Sequence, residues 1–217
     1  MSAALLHSTH ILGVGLDPAK LIKSFGVLGA LGIIFAESGL LIGFFLPGDS
    51  LLFTLGLLRA TKPELVTWPI GLLCVGLFLA AVIGDQVGYQ FGKRVGPGLF
   101  DRPDSRLFKQ SNLVKSHEFF ERHGARTIVL ARFVPIVRTF TPVVAGTSKM
   151  NYKVFSTYNL IGAALWAVGV TMAGYFLGKR FHSLADKIDL LSLVIVAVSV
   201  APMVIEFLRH RRKAAPH

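Results

Sequence analysis

Two long apolar stretches are each interrupted by proline and by a pair of charges, and neither can be one straight helix. From Leu21 to about Leu58 the chain carries Glu37, a cluster of glycines and Pro47-Gly48-Asp49; from Thr127 to Thr147 it carries Arg132, Pro135, Arg138 and Pro142. Proline removes a backbone donor and clashes with the preceding turn, glycine frees the chain, and aspartate competes for local backbone groups. Each stretch is therefore expected to fold as a hairpin of two helices, broken at Pro47 and Gly48 in the first and at Pro135 and Pro142 in the second.

Composition names the solvent. The 217 residues are 53% hydrophobic and only 16% charged, with a mean hydropathy of +0.60, far from a soluble domain of this size. The apolar segments run to about 20–25 residues, the length that crosses a hydrocarbon core about 30 Å thick. Non-helical backbone at that depth survives only when buried in protein or lining a cavity, so both hairpins are expected to be re-entrant and to face the interior.

Between and after the hairpins lie a span from about Trp68 to Gly92, a polar stretch from Lys93 to Arg126 read as an amphipathic surface helix, a span from about Tyr152 to Gly178, and a last span from about Ile188 to Leu208 before the basic run Arg209 to Lys213. Gly84, Gly88 and Gly92 recur every fourth residue, a ridge on which another helix can sit closely. Residues 1–20 read as an interfacial lead-in, without the basic start and cleavage site of a removable signal peptide.

An internal repeat orders these parts. Gly88-Tyr89-Gln90-Phe91-Gly92-Lys93-Arg94 returns as Gly174-Tyr175-Phe176-Leu177-Gly178-Lys179-Arg180, and Phe45-Leu46-Pro47 returns as Phe133-Val134-Pro135. The fold class expected is an all-α polytopic membrane protein: one membrane domain over 1–217, with repeat 1 at about 21–92, the cytoplasmic amphipathic segment at 93–126, repeat 2 at about 127–180, and a C-terminal span and tail at 185–217. A hairpin returns to its own side and a span crosses, so the repeats are expected to be inverted. Placing the basic 93–126 loop and the C-terminus in the cytoplasm satisfies the positive-inside bias, with Lys179 and Arg180 as an exception.

Four ionisable side chains in two hairpins need a reason, because each is penalised by about 2.5–3.5 kcal/mol at a helix centre. Opposed hairpin tips would bring Glu37 and Asp49 towards Arg132 and Arg138. Guanidinium keeps its charge and matches phosphate oxygens bidentately, so Arg132 and Arg138 are the candidate phosphate-binding residues. Glu37 and Asp49 are the candidate proton-coupling or gating groups. The structural alternative is that acid and base simply neutralise one another, and the two roles can coexist. Asp85 is a secondary candidate, since Thr171 stands at its place in the second repeat. Trp68, Tyr152 and Tyr158 read as interface anchors.

Other chemistries find less support. The net charge of +11 gathers beside apolar spans, which points to anionic lipid rather than nucleic acid. The seven scattered histidines and lone Cys74 offer no metal site or disulfide framework. No nucleophile and base pair, phosphate loop or catalytic acid pair emerges, so neither an enzyme nor a cofactor is expected.

Gly43-Phe44-Phe45-Leu46-Pro47-Gly48-Asp49-Ser50, Gly84-Asp85-x-x-Gly88-Tyr89-x-x-Gly92 and Arg132-Phe133-x-Pro135-x-x-Arg138, in this order and spacing, resemble the DedA family, also called the SNARE-associated or VTT-domain family, over roughly residues 20–180. Its members are bacterial inner-membrane proteins with eukaryotic relatives that scramble phospholipids. The resemblance makes Glu37 and Asp49 the family's essential acids and Arg132 and Arg138 its essential arginines. It implies a flippase for polyprenyl phosphate, foremost undecaprenyl phosphate recycled for envelope synthesis, that depends on the proton motive force. Many members carry Pro-x-Pro-Gly-Glu in the first hairpin; here Phe45 replaces the first proline and Asp49 the glutamate, and the charge survives. A proton-coupled cation or drug antiporter and a passive phospholipid scramblase are the alternatives. The expected partners are membrane lipid, protons and, as an option, a second copy of the chain.

Overall fold

The computed structural model describes residues 18–40, 46–100 and 126–180, which are helices and connecting turns with no strand among them. Of the amphipathic segment expected at 93–126, residues 93–100 instead prolong the helix from Ile70 and Arg126 opens another, while residues 101–125, the final span and its basic tail lie outside the described residues, as do residues 1–17. Seven α-helices are described: α1 (Pro18–Gly39), α2 (Gly48–Thr61), α3 (Ile70–Phe100), α4 (Arg126–Ala131), α5 (Pro135–Thr147), α6 (Tyr152–Ala163) and α7 (Gly169–Arg180). A single π-helical turn, Ala164–Val168, joins α6 to α7.

Three segments are long and apolar enough to cross a membrane: Leu21–Gly39, Ile70–Val95 and Tyr152–Arg180. The second and third are the spans expected from sequence; the first, expected as one arm of a re-entrant hairpin, is itself long enough to cross. The helix α3 runs past the expected end at Gly92 because that glycine is spent on packing against Val143 rather than on ending the helix. The outer face of α3 exposes Leu72, Val75, Leu79, Ile83, Val87 and Phe91 at helical spacing. A continuous apolar stripe of that length on one face belongs against lipid. In α1, Gly26 sits at φ 64° and ψ −164° inside the helical run, a conformation open essentially to glycine alone, and it bends the helix.

The two interrupted stretches do break. In the first, α1 ends at Gly39 and α2 begins at Gly48, with Pro47 at its N-cap position and the Ser50 hydroxyl donating to the Pro47 carbonyl over 2.9 Å. In the second, the chain leaves helix at 132–134 and re-enters at Pro135, whose missing N–H costs nothing in a first turn. Pro142 departs from expectation: it lies inside α5, which continues through it. The helix is held there by neighbours, since α5 lies along α3 with Pro142 against Gly88 and Gly146 on the backbone of Tyr89.

With 14 and 13 residues, α2 and α5 reach only about 20 Å at 1.5 Å per residue, too short to cross. Leu51, Leu52, Leu55, Leu57 and Leu58 bury α2 on nearly every side, against Leu73, Leu77 and Trp166. Glycines set the closest contacts. Gly56 of α2 rests on the backbone of Thr171 and Tyr175 in α7, and Gly174 on that of Phe53; Gly146 of α5 rests on Tyr89 and Lys93 in α3, and Gly92 on Val143. Each short helix thus packs on the span of the other half of the chain. The expected glycine ridge carries two partners, Gly84 meeting α1 at Ser38 and Gly39, and Gly88 and Gly92 meeting α5.

Candidate functional site

The breaks deliver their charges to one place. Arg138, one turn into α5, donates from Nη1 to Asp49 Oδ1 over 2.8 Å and from Nη2 to Glu37 Oε1. Glu37 comes from the last turn of α1 and Asp49 from the first turn of α2, so one guanidinium closes the gap between the two halves. Gly48 leaves room there for the Glu37 carboxylate, which a Cβ in its place would push aside. The carboxylate of Asp49 also sits at the N-terminal end of α2, where the exposed N–H groups favour negative charge.

Arg132 lies in the turn of the second break and takes a different partner. Its Nη2 pairs with Asp85 in the middle of α3 and donates to Asn159 Oδ1 of α6 over 2.6 Å. Gly162 makes room for its stem. The four residues expected to meet therefore divide: Arg138 gathers Glu37 and Asp49, while Arg132 goes to Asp85, the residue of least prominence in the sequence.

Trp166 links the two ion pairs. Its indole N–H donates to Asp49 Oδ1 over 2.6 Å, its ring lies 4.2 Å from the Arg138 guanidinium, and the Arg132 guanidinium is 6.0 Å away. Both distances fall in the range of cation–π attraction. The π-helical turn sets this residue's position, a feature that recurs at functional sites. Trp166 and Asn159 were not singled out from sequence; the signal available was an indole and an amide well inside a span rather than at its ends.

Glu37, Asp85, Arg132 and Arg138 are 1–3% exposed, whereas the Asp49 side chain is 23% exposed and is the cluster's contact with the outside. Among the described residues, three carboxylates face two guanidiniums, leaving one excess negative charge when all are ionised. Among the described residues, Glu37 Oε2, Arg138 Nε and Arg132 Nη1 are buried without hydrogen-bond partners. Donor capacity is thus held in reserve beside a pre-formed set of pairs, at a site where unpaired polar atoms are costly. No group of three or more metal-ligating side chains occurs among the described residues. Trp68, half-buried, packs at the edge of the core around α3, and the exposed Tyr152 lies beside Tyr89 with ring centroids 5.6 Å apart.

A multi-pass helical membrane protein with compensating charges buried between broken helices is the class that this fold and cluster define. Its sequence matches the family model described as the VTT domain over residues 46–176. It is similar to Protein DedA of Escherichia coli (strain K12), with 44% identity over 208 residues and 94% of each chain covered. It is also similar to an uncharacterized membrane protein of Mycobacterium tuberculosis, with 46% identity over 209 residues, 93% of this chain and 90% of that one. A further uncharacterized membrane protein, from Mycobacterium leprae, shares 46% over 196 residues. The chain belongs to the VTT-domain, or DedA, family of membrane proteins. No solved structure matches it.

Proposed function

We propose that this protein is a flippase for a polyprenyl phosphate, foremost undecaprenyl phosphate, in a bacterial inner membrane, and that its cycle draws on the proton motive force. The observation that carries the reading is the Arg138 node, where one buried guanidinium is shared by two carboxylates from the other half of the chain. A phosphate can replace a carboxylate on such a guanidinium bidentately, and the carboxylate so released, in a dry site, takes up a proton. Release of the phosphate on the other side reverses the exchange. In this reading the two broken pairs are re-entrant hairpins of an inverted repeat, with 93–126 and the C-terminus cytoplasmic. The crossed packing of α2 on α7 and of α5 on α3 supports it, because each half then moves against the other's span.

A second reading, a proton-coupled cation or drug antiporter, is favoured by the excess carboxylate. Purified protein in liposomes separates the two. The flippase moves labelled undecaprenyl phosphate, slows when the pH gradient is collapsed, and loses transport in Arg138→Ala. Gradient-driven movement of a cation with no movement of the lipid phosphate establishes the antiporter instead. Lipid movement indifferent to the gradient makes the protein a passive scramblase.

A further inference from the structure

A second basic cluster lies about 12 Å along α3 from Asp85, eight residues on at 1.5 Å each. Here α3, the end of α5 and the start of α6 enclose an open cavity of about 640 Å³, lined by Lys93, Lys149 and Lys153 with Tyr89, Asn151 and Tyr152. All three lysines are exposed, and none has an ion-pair partner among the described residues. Among the described residues, no carboxylate lines the cavity.

Its frame is built rather than incidental. The Tyr89 hydroxyl donates to the Met150 carbonyl over 2.6 Å, and its ring stacks on Phe155 with centroids 4.6 Å apart. Asn151 caps α6 by accepting from the Lys153 N–H over 3.0 Å, and Gly146 presses the end of α5 onto the α3 backbone. Lys149, the residue that turns the chain from α5 towards α6, has φ 53°. Glycine is the natural occupant of that left-handed position after a helix, and a side chain there costs stability. A lysine in such a place, lining one cavity with two others, is strain held at a site.

A polar seam runs from the cavity to the buried cluster. Along the facing sides of α3 and α6, the Tyr89 and Tyr152 pair is followed by Gln86, which donates to the Ser156 hydroxyl over 3.4 Å, and then by Asp85 and Asn159, both holding Arg132. Polar pairs of this kind also hold apolar spans together; here they line up from the cavity to Arg132.

We infer that Lys93, Lys149 and Lys153, framed by Tyr89 and Tyr152, form a docking site for a phosphate monoester at the membrane surface, opening onto the seam that leads to Arg132. Binding follows from the site's own lining; only the onward path to the arginines rests on the flippase reading. Phosphatidic acid and soluble glycerol 3-phosphate carry the same group.

Native mass spectrometry of the full-length protein in detergent tests this with dioleoyl phosphatidic acid and dioleoylglycerol, which share their tails. The protein should retain the first and not the second, each Lys→Gln change should weaken retention about fivefold, and Lys149→Arg should keep it. Lys149→Gly should weaken retention by about the same factor yet melt at a higher temperature, because glycine relieves the strained turn, whereas a lysine with no part in binding would leave retention unchanged. Glycerol 3-phosphate that displaces the lipid shows that the site reads the free phosphate; lipid held against it shows that the headgroup is read at the membrane. Equal retention of dioleoylglycerol, or unaltered retention in the triple Lys→Gln variant, overturns the site. Failure of the flippase reading looks different: native protein that retains phosphatidic acid but moves no undecaprenyl phosphate in liposomes.

Discussion

Arg138 and Arg132 are both buried guanidiniums delivered by the same break, six residues apart, yet they sit in unlike settings. Arg138 has two carboxylates from α1 and α2, an indole face beneath it, and a route to the outside through Asp49. Arg132 has one carboxylate and one amide, both fixed on the spans α3 and α6. Arg132 with Asp85 is a charge-balanced clamp between the long apolar helices, whereas the Arg138 node carries the excess negative charge and joins the two short helices to the end of α1. Under the flippase proposal, the first anchors and the second exchanges.

The contrast breaks most sharply at the arginines. Arg138→Ala leaves the buried Glu37 and the part-exposed Asp49 without a counter-charge, so it should abolish lipid transport and lower unfolding stability by about 3–5 kcal/mol, the cost of breaking a buried pair. Arg132→Ala strands one carboxylate and should cost less in a thermal melt of the detergent-solubilised protein. If Arg132→Ala is the more damaging of the two, the assignment is reversed.

A paired substitution sharpens it. Arg132→Met with Asp85→Leu removes a balanced pair and fills the space with apolar side chains, so stability should return to within about 1–2 kcal/mol of native. The analogous double change of Arg138→Met with Glu37→Leu leaves Asp49 charged and should not recover. Equal recovery in the two doubles would show that the nodes are equivalent.

The smallest effect belongs to Trp166→Phe. It keeps an aromatic face under Arg138 but removes the N–H donated to Asp49, which Arg138 still holds. A loss of about 1–1.5 kcal/mol is expected, with transport slowed rather than abolished; unchanged stability would remove the indole hydrogen bond from the account.

What was legible in the sequence had a large local signal. Glu37, Asp49, Arg132 and Arg138 announce themselves because a charge amid apolar residues is costly, and the helix boundaries at Gly48 and Pro135 follow from glycine and proline. The glycine ridge at 84, 88 and 92 was equally plain, since close approach leaves a spacing. Pro142 misled, because the packing of α5 on α3 holds a helix through a proline that would break an isolated one. The partners of Arg132 were hidden for another reason: Asp85 and Asn159 come from two different spans, and only the crossing of α3 and α6 selects them. Trp166 was hidden because its position depends on a π-helical turn, and nothing local marks one. The left-handed Lys149 was invisible too, as its backbone angle belongs to the junction rather than to the residue.

The most direct test of the division between clamp and exchange is undecaprenyl phosphate transport in proteoliposomes, with and without a pH gradient, for Glu37→Gln and Asp85→Asn side by side with thermal melts. Glu37→Gln removes the excess charge, so it should melt at or above the native temperature while its transport no longer responds to the gradient. Asp85→Asn should melt lower yet keep the gradient response. Two variants that lose the gradient response together, or a Glu37→Gln protein that still follows the gradient, would contradict the account.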